Sequence, residues 1–528
     1  MQRTTSRLAV AILVAAGTTV LAAARDRTAI PSHPDDRTIV HVLNRLGFGA
    51  APGDIARVRA MGLEKYIDRQ LHPESIADAA MTARLSGFET LGKSTEELAR
   101  DYFLPAIEAR RRAQQAAGDA TMKPGGTPEP ARAANRTPEQ MEAMQAERRV
   151  LAELASQKIL RAAYSDRQLE QVMADFWFNH FNVFAGKGQT RVYLTEYERD
   201  TIRPRVLGKF RDLLGATAKS PAMLFYLDNW QSAAPEGGSF ARQNRPRRGL
   251  NENYARELME LHTLGVEGGY TQKDVQEVAR CFTGWTIAAP RAGGGYRFEP
   301  RMHDDGGKIV LGHRIAAGGG EKDGQQVLDI LASHPSTARF VATKLARRFV
   351  ADDPPPALVE RAAKRFGETG GDIREVVRTI VTSAEFFAPA AYRAKVKTPF
   401  EFVASAIRAT GAESGDGLPL VQALRDLGMP VYQCQPPIGY ADRADAWVNT
   451  GALLARMNFS VALASGRLRA GRQGPPTVVT NLEAAERAVV DGALAGDLSA
   501  STRATVAKAG DPAQKVALIL GSPEFQKR

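Results

Sequence analysis

The amino-acid sequence predicts a mainly α-helical protein, with one large multi-helical domain and a small inserted β-hairpin. Apolar residues recur at the three- and four-residue spacing of a helix through most of the chain. Recognisable helix starts, such as the proline that follows His334 and the capping box at residues 271–274, support the same fold class. The one clearly non-helical stretch spans about residues 289–320, which is where we expect the hairpin.

The composition is that of a folded protein and excludes several classes. The 528 residues include 70 Lys+Arg and 59 Asp+Glu, giving a formal charge of +11, and 44% are hydrophobic. Only Cys281 and Cys434 are cysteines. Two cysteines cannot supply a disulfide-rich scaffold, a four-cysteine zinc site or a cysteine-bound iron–sulfur cluster. They could pair in an oxidising compartment or remain as two buried thiols.

Residues 1–24 are typical of a secretory signal peptide. Arg3 and Arg7 form a basic start, residues 8–21 are apolar, and three alanines at 22–24 suit cleavage. The apolar run is shorter than the ~20 residues that a spanning helix needs, although an uncleaved anchor is the alternative interpretation. We therefore expect export to the periplasm or the extracellular space. Residues 25–528 would form the mature chain, in which no later segment predicts a stable membrane span.

The first half of the mature chain alternates between helical and loose segments. Residues 38–46 carry apolar side chains on one helical face, and Asp54 is placed to cap the next helix. Residues 110–148 contain almost no large apolar side chains, so they predict a mobile insertion with helical edges. The arginines of residues 232–248 lack interleaved aromatic residues, which favours a solvated loop over a nucleic-acid site.

The segment 173–184 is the densest polar and aromatic block. As a helix it places His180 on an apolar stripe, and Asp175, Asn179 and Asn182 on a polar one. In one interpretation the polar stripe faces a pocket and binds substrate, with His180 as acid, base or ligand. In the other, this is a core helix whose histidine and amide groups tie neighbouring segments together.

A second block, residues 250–270, carries two carboxylates one turn apart. Its polar stripe comprises Asn253, Arg256, Glu257 and Glu260. Such a stripe can perform acid–base chemistry or bind a hard cation, but it can equally form an internal ion-pair network. His262 joins the carboxylates only if the helix unwinds near residues 263–265.

Two further segments supply candidate residues. Runs 296–298 and 309–311 read as the strands of the expected hairpin, and His303 lies in the turn between them. The spacing around His303 matches neither an EF-hand loop nor a zincin helix, so we predict no metal site there. Trp447 follows the Pro/Gly turn at residues 435–440, where it could stack on a ligand or cap the core.

Several of these segments together resemble the bacterial domain-of-unknown-function 1800 family. The matching segments are residues 43–49, 175–184, 251–271, 283–285, 303–304, 334–338 and 395–401. The resemblance spans about residues 38–464, and residues 110–148 look like an insertion relative to it. It implies an exported bacterial protein whose gene often neighbours that of a secreted, alkaline-phosphatase-like protein. It implies no activity, cofactor or catalytic residue.

Two functional hypotheses remain. The first is a hydrolase-like enzyme of the envelope or the extracellular space, with Glu257, Glu260, His180 and His303 as acid–base groups in one cleft and an envelope polymer as a candidate substrate. Its substrate-binding residues would be Asp175, Asn179, Asn182, Asn253, Arg256 and Trp447. The second is a non-catalytic binding or assembly module that acts with the secreted alkaline-phosphatase-like partner. It predicts internally satisfied polar stripes and an exposed apolar patch. The sequence identifies no cofactor for either.

Overall fold

The computed structural model describes residues 29–121, 137–234, 249–471 and 474–528, without the side chains of residues 116–121. Helices dominate this part of the chain, which confirms the predicted fold class. The α-helices are α1 Asp36–Leu46, α2 Asp54–Met61, α3 Leu63–Leu71, α4 Ala79–Leu85, α5 Thr95–Leu98, α6 Leu104–Thr121, α7 Pro138–Tyr164, α8 Gln168–His180, α9 Thr190–Glu196, α10 Phe210–Lys219, α11 Pro221–Tyr226, α12 Asn253–Glu257, α13 Gln272–Cys281, α14 Glu321–Ser333, α15 Pro335–Phe349, α16 Pro356–Glu368, α17 Ile373–Val381, α18 Pro399–Thr410, α19 Leu418–Asp426, α20 Thr450–Ala464, α21 Leu482–Arg487, α22 Ala500–Val506 and α23 Pro512–Gly521.

Shorter helical turns join these elements. Four are π-helical: Ala99–Phe103, Tyr197–Ile202, Leu258–Thr263 and Ala488–Ala493. The 3₁₀ turns are Pro73–Ser75, Arg203–Arg205, Asn229–Gln231, Pro290–Ala292, Pro300–Met302, Pro389–Ala391 and Ala444–Ala446. The π-turn at Leu258–Thr263 continues α12, so the second polar block stays helical but is wound more widely than a regular α-helix.

Three of the four strands lie within the predicted residues 289–320, but the first strand precedes that range and the pairing differs from the prediction. Strand β1 (Trp285–Ile287) pairs antiparallel with β2 (Tyr296–Phe298), and β3 (Lys308–Val310) pairs antiparallel with β4 (His313–Ile315). The two runs predicted to pair with each other therefore belong to separate hairpins. The β3–β4 turn explains this, because Leu311 and Gly312 both have positive φ, as a two-residue hairpin loop requires. A two-residue connection closes at a lower entropic cost than the longer loop between β2 and β3.

The local helix signals hold in the structure. Thr271 and Asp274 form the predicted capping box of α13, and His334 caps α15 by accepting a hydrogen bond from the Ser336 backbone N–H at 3.1 Å. The capping prediction for Asp54 was wrong by one residue. Gly53, with a left-handed φ of 85°, occupies the cap position, and the Asp54 carboxylate accepts from the Ala51 backbone N–H instead.

Apolar side chains from α1 to α23 form one continuous core. Helices α8 and α18 lie near its centre, and every residue of α18 is buried. The predicted inward face of α15, which comprises Val341, Leu345 and Phe349, is at most 1% exposed. Polar groups on α8, α15 and α18 are therefore held away from bulk water, and each needs a partner inside the protein.

Some sequence predictions fall outside the described residues. These are the signal peptide at 1–24, residues 122–136 of the predicted insertion and most of the arginine-rich loop. The outer parts of the insertion belong to α6 and α7, as predicted for its edges. Within the described ranges, no helix combines the length and apolarity that a bilayer crossing requires.

Candidate functional site

The amide side chains of the first polar block bind the backbone of a single loop, residues 434–447. Asn179 Nδ2 donates to the Tyr440 carbonyl at 2.8 Å, and Asn179 Oδ1 accepts from the Tyr440 N–H at 2.7 Å. Asn182 Nδ2 donates to the carbonyls of Cys434 at 3.0 Å and Pro436 at 2.8 Å. Gly439 has a φ of +79°, and a Cβ there would lie 2.4 Å from the Asn179 carbonyl oxygen. We call these contacts the amide clamp.

Residues 441–447 of the same loop are also held by contacts with other residues of the protein. Lys395 Nζ donates to the Asp442 carbonyl at 2.9 Å and contacts Asp352 Oδ1 at 2.6 Å. The indole N–H of Trp447 donates to the Ala441 carbonyl at 2.9 Å, and its ring lies 6.1 Å from that of Tyr440. Trp447 therefore packs on its own loop.

His180 belongs to a buried basic cluster at the end of α8. Its Nε2 lies 3.1 Å from the His262 carbonyl oxygen, which can only accept, so Nε2 carries the proton. Its Nδ1 accepts from Lys344 Nζ at 2.9 Å. Burial, reinforced by Lys344, holds the pKa of His180 well below its ordinary value, and burial lowers the pKa of Lys344 to about 8. His180 is therefore a neutral imidazole at pH 7.

The second histidine of this cluster is also neutral. Burial lowers the pKa of His262 to about 3, and its Nε2 has no hydrogen-bond partner in the described structure. The rings of His180 and His262 lie 6.2 Å apart. Sequence analysis did not identify Lys344, because its partners come from α8 and from the π-turn, which are remote in the chain.

The two carboxylates of the second block are half-buried neighbours. Burial and the nearby Glu260 raise the pKa of Glu257, against the smaller effect of Arg256. Within the described ranges no hydrogen bond or ion pair involves the Glu257 side chain. Glu260 accepts only a long hydrogen bond, 3.4 Å, from the Tyr270 hydroxyl. Glu257 keeps acid–base capacity, because a carboxyl with a raised pKa exchanges protons nearer neutrality.

Arg256 and Asn253, the polar residues predicted beside Glu257, form hydrogen bonds with other residues. Arg256 donates to Gln272 Oε1 at 2.9 Å and to Glu252 Oε2 at 3.4 Å. Asn253 Nδ2 donates to the Leu227 carbonyl at 3.3 Å. Both therefore brace the surroundings of α12 through contacts within the protein.

His303 lies in a different part of the protein, beneath β3. Its Nδ1 donates to the Thr283 carbonyl at 2.8 Å, and its Nε2 lies 3.2 Å from Asp323 Oδ2. Lys308 Nζ contacts the same carboxylate oxygen at 2.5 Å, and the side chains of His303, Lys308 and Asp323 are 0% exposed. The group is a buried ion-pair network. Among the described residues, no set of three His, Cys, Asp or Glu side chains is arranged to hold a metal ion.

The predicted site residues thus fall into separate clusters. Asp175 pairs with Lys158 at 3.0 Å, and none of the predicted residues lines any of three cavities, of about 720, 1380 and 540 Å³, in the described structure. Both cysteines are free, buried thiols, and burial raises the pKa of Cys281 to about 12 and that of Cys434 to about 11. The structure therefore selects the unpaired alternative for the cysteines.

A charged cluster that the sequence did not reveal lies between α1, α15 and α18. Glu401 Oε1 is contacted by Arg348 Nη1 and, at 2.9 Å, by Arg528 Nε, while Glu401 Oε2 accepts from the Thr398 N–H at 2.8 Å. Arg45 Nη2 donates to the Ala391 carbonyl at 2.6 Å. The four charged residues are at most 5% exposed. We call Arg45, Arg348 and Arg528 the guanidinium cluster.

The sequence offered only one weak signal for this cluster. Arg45 and Glu401 lie in segments that carry the family resemblance, but each is a single charge on a mainly apolar helix. Helical periodicity shows that such a residue points inward and does not show which residues it meets.

The comparisons with known proteins define a family and nothing further. A model of the family described as "Protein of unknown function (DUF1800)" matches residues 41–527, nearly the whole chain. Neither the curated proteins nor the solved structures include a match. The chain therefore belongs to the domain-of-unknown-function 1800 family.

Proposed function

We propose that this protein is an exported binding or assembly module that docks a secreted, alkaline-phosphatase-like partner through an apolar surface. The observation that carries the proposal is a concentration of exposed large apolar side chains. Five of the ten in the described structure lie within 24 consecutive residues. They are Ile438 (59% exposed), Val448 (49%), Leu453 (47%), Leu454 (60%) and Val461 (38%), and we call them the apolar face.

Three residues of the apolar face, Leu453, Leu454 and Val461, lie on α20, a helix that buries only part of its surface. Helix α20 buries Arg456, Phe459 and Leu463, whereas Leu453 and Leu454 in its first turns are exposed. Burying apolar surface is worth about 25 cal/mol per Å², so adjacent exposed leucines favour a partner that covers them. Clustered apolar groups of this kind mark interaction sites more often than scattered ones do.

The amide clamp supports the same proposal. Asn179 and Asn182 fix the loop that carries Ile438 and leads to Val448. A surface that is already ordered loses less conformational entropy on binding, which favours affinity. The groups expected to catalyse or bind substrate are instead mostly engaged by their own chain, as the binding hypothesis requires. The identity of the partner rests on the family resemblance.

The test is binding between the purified mature chain and the alkaline-phosphatase-like protein encoded beside it. We expect a defined complex by biolayer interferometry and by light scattering after size exclusion. The double variant Leu453→Glu/Leu454→Glu should weaken binding by about 100-fold, since two anchors each contribute on the order of 1–2 kcal/mol. The matched control is Val266→Glu, at a 71% exposed valine outside the apolar face.

Two results would overturn this proposal. One is equal affinity of the double variant and the Val266→Glu control for the partner. The other is a wild-type chain that does not bind the partner at all, including the case in which the apolar face only joins two copies of the chain.

Glu257 and Glu260 favour a second candidate function, hydrolysis by acid–base chemistry. The supporting observation is the half-buried Glu257 carboxyl, whose pKa is raised by burial and by Glu260. Hydrolysis of a panel of fluorogenic esters and glycosides should be lost in Glu257→Gln and kept in Glu64→Gln, which alters an exposed carboxylate on α3. An inactive wild-type chain, or equal activity in both variants, would rule this candidate out.

A further inference from the structure

The guanidinium cluster contains donors that the described protein does not satisfy. Arg45 is fully buried, yet its Nε and Nη1 have no hydrogen-bond partner. The same is true of Arg348 Nε and Arg528 Nη1, and Arg528 Nε has only its ionic contact with Glu401. An unsatisfied buried donor destabilises the folded state, and more strongly when it is charged. Several such donors in one place indicate a missing acceptor.

The charges of this region are also unbalanced. Lys397 Nζ donates to the Ser405 hydroxyl at 2.8 Å, and Arg456 donates to Gln526 Oε1 and to the Lys397 carbonyl. Neither forms an ion pair with a carboxylate in the described structure. Of these five cations, only Arg348 and Arg528 form ion pairs in the described structure, and both pair with the carboxylate of Glu401.

Burial makes this excess of positive charge costly. It lowers the pKa of Arg45 and of Lys397 well below their ordinary values and that of Arg456 to about 10. An uncompensated buried charge costs several kcal/mol, so the folded chain favours any anion that can enter. Water could satisfy the free N–H groups, but it would leave the net charge unchanged.

We propose that the guanidinium cluster is the binding site of one small tetrahedral oxyanion, phosphate or sulfate. Arg45 comes from the last turn of α1, Arg348 from the last turn of α15, and Arg528 from the segment that pairs with Lys395. Guanidinium groups present planar, paired donors that match the oxygens of such anions. Donors from three separate elements suit an acceptor with oxygens on several sides, and its negative charge offsets the cations.

The entry route is the loop that the amide clamp holds. Asp442 in this loop contacts Lys395 at 3.2 Å. Burial acts to lower the pKa of each guanidinium group, and the charge of Asp442 is close enough to oppose that effect in all three. Its side chain is 30% exposed, so this part of the loop lies between the cluster and solvent. The anion must displace the loop to exchange, and exchange should therefore be slow.

The experiment measures anion binding to the intact mature chain. After purification without phosphate or sulfate, titration calorimetry and ³¹P NMR should detect one slowly exchanging phosphate per chain, and sulfate titrations and competition show which anion is preferred. Arg45→Met, which keeps an unbranched apolar stem and removes the guanidinium group, should weaken binding by about 100-fold. Arg361→Met is the matched control, since Arg361 forms a partly exposed pair with Glu385.

Circular dichroism will show whether Arg45→Met folds, and Lys397→Met provides a second variant with the same expected loss of affinity. The proposal is overturned if the wild-type chain binds neither anion stoichiometrically. It is also overturned if Arg45→Met, or Lys397→Met where the first variant does not fold, binds as tightly as Arg361→Met, because the bound anion would then lie elsewhere. Neither outcome depends on the docking partner.

Discussion

The amide clamp and the guanidinium cluster are both buried polar regions, and they are built in opposite ways. In the clamp, neutral carboxamides of Asn179 and Asn182 bind backbone groups of the loop at 2.7–3.0 Å. In the cluster, only Arg348 and Arg528 form ion pairs, both with Glu401, and several guanidinium N–H groups have no acceptor in the described structure. A saturated polar region fixes the fold, whereas an unsaturated charged one indicates a ligand.

The largest expected effect comes from removing the carboxylate of the cluster. Glu401→Gln keeps the side-chain shape but leaves Arg348 and Arg528 without a counter-charge. We expect the free energy of unfolding to fall by about 3–5 kcal/mol, or the chain to fail to fold, because breaking a buried ion pair leaves a buried charge without a partner. Urea denaturation measures this. Glu385→Gln, at a partly exposed pair, should cost only about 0–1 kcal/mol.

Glu401 should also make the free energy of unfolding depend on pH. Burial alone would raise the pKa of Glu401, but Arg348 and Arg528 outweigh burial and lower the pKa to about 2. A depressed folded-state pKa contributes stability above the unfolded pKa of about 4.3, and that stability is lost as the pH falls toward 2. Glu401→Gln should lack this contribution. If the free energy of unfolding of Glu401→Gln fell as steeply with decreasing pH as that of the wild-type chain, Glu401 would not be the charged centre of the cluster.

A smaller effect is expected in the clamp. Asn182→Ala leaves the carbonyls of Cys434 and Pro436 without a donor, which should cost about 1–3 kcal/mol. Hydrogen exchange should rise in residues 434–447 before it rises elsewhere, because the loop loses its attachment to α8. Asn458→Ala, at an exposed asparagine on α20, is the control. Unchanged exchange in the loop would show that the clamp does not hold it.

The smallest effect concerns Lys344, which lies beside the clamp on α15. Its folded-state pKa of about 8 is below the unfolded value of about 10.4, so the unfolded chain binds more protons between these pH values. The free energy of unfolding should therefore rise with pH across that window. The contribution of Lys344 should be least favourable below about pH 8. Lys344→Met should remove a rise of roughly 2 kcal/mol between pH 7.5 and pH 10.

Lys364→Met, at a lysine whose side chain is 79% exposed, should keep the wild-type pH dependence and is the control. Parallel urea titrations of the two variants at pH 7.5 and pH 10 make the comparison. Identical pH dependence in both would contradict the assignment of a lowered pKa to Lys344.

Local signals in the sequence predicted a good part of the fold. The α13 capping box, the start of α15 and the inward face of α15 depend on residues close together in the chain, and the structure contains all three. The hairpin pairing was wrong because two strand-like runs do not reveal their partners. The pairing was set instead by the two-residue turn at Leu311 and Gly312.

The functional regions depended on contacts that no local pattern encodes. Asn179 was identified as a notable polar residue, but the sequence could not show that it meets Tyr440, 261 positions away. Arg45 of α1, Arg348 of α15 and Arg528, which follows α23, come together around Glu401 of α18 only when these segments pack. Periodicity predicts which residues are buried, and charge balance within the packed core can be judged only from the structure.

Stability measured against phosphate concentration tests most directly whether the cluster is complete only with an anion. At constant ionic strength, the free energy of unfolding of the wild-type chain and of Arg361→Met should rise by about 1.4 kcal/mol for each tenfold increase in phosphate above its dissociation constant. Arg45→Met should show no such rise. A wild-type chain whose stability does not depend on phosphate or sulfate would contradict the account, and so would an Arg45→Met variant that gains as much as the wild type.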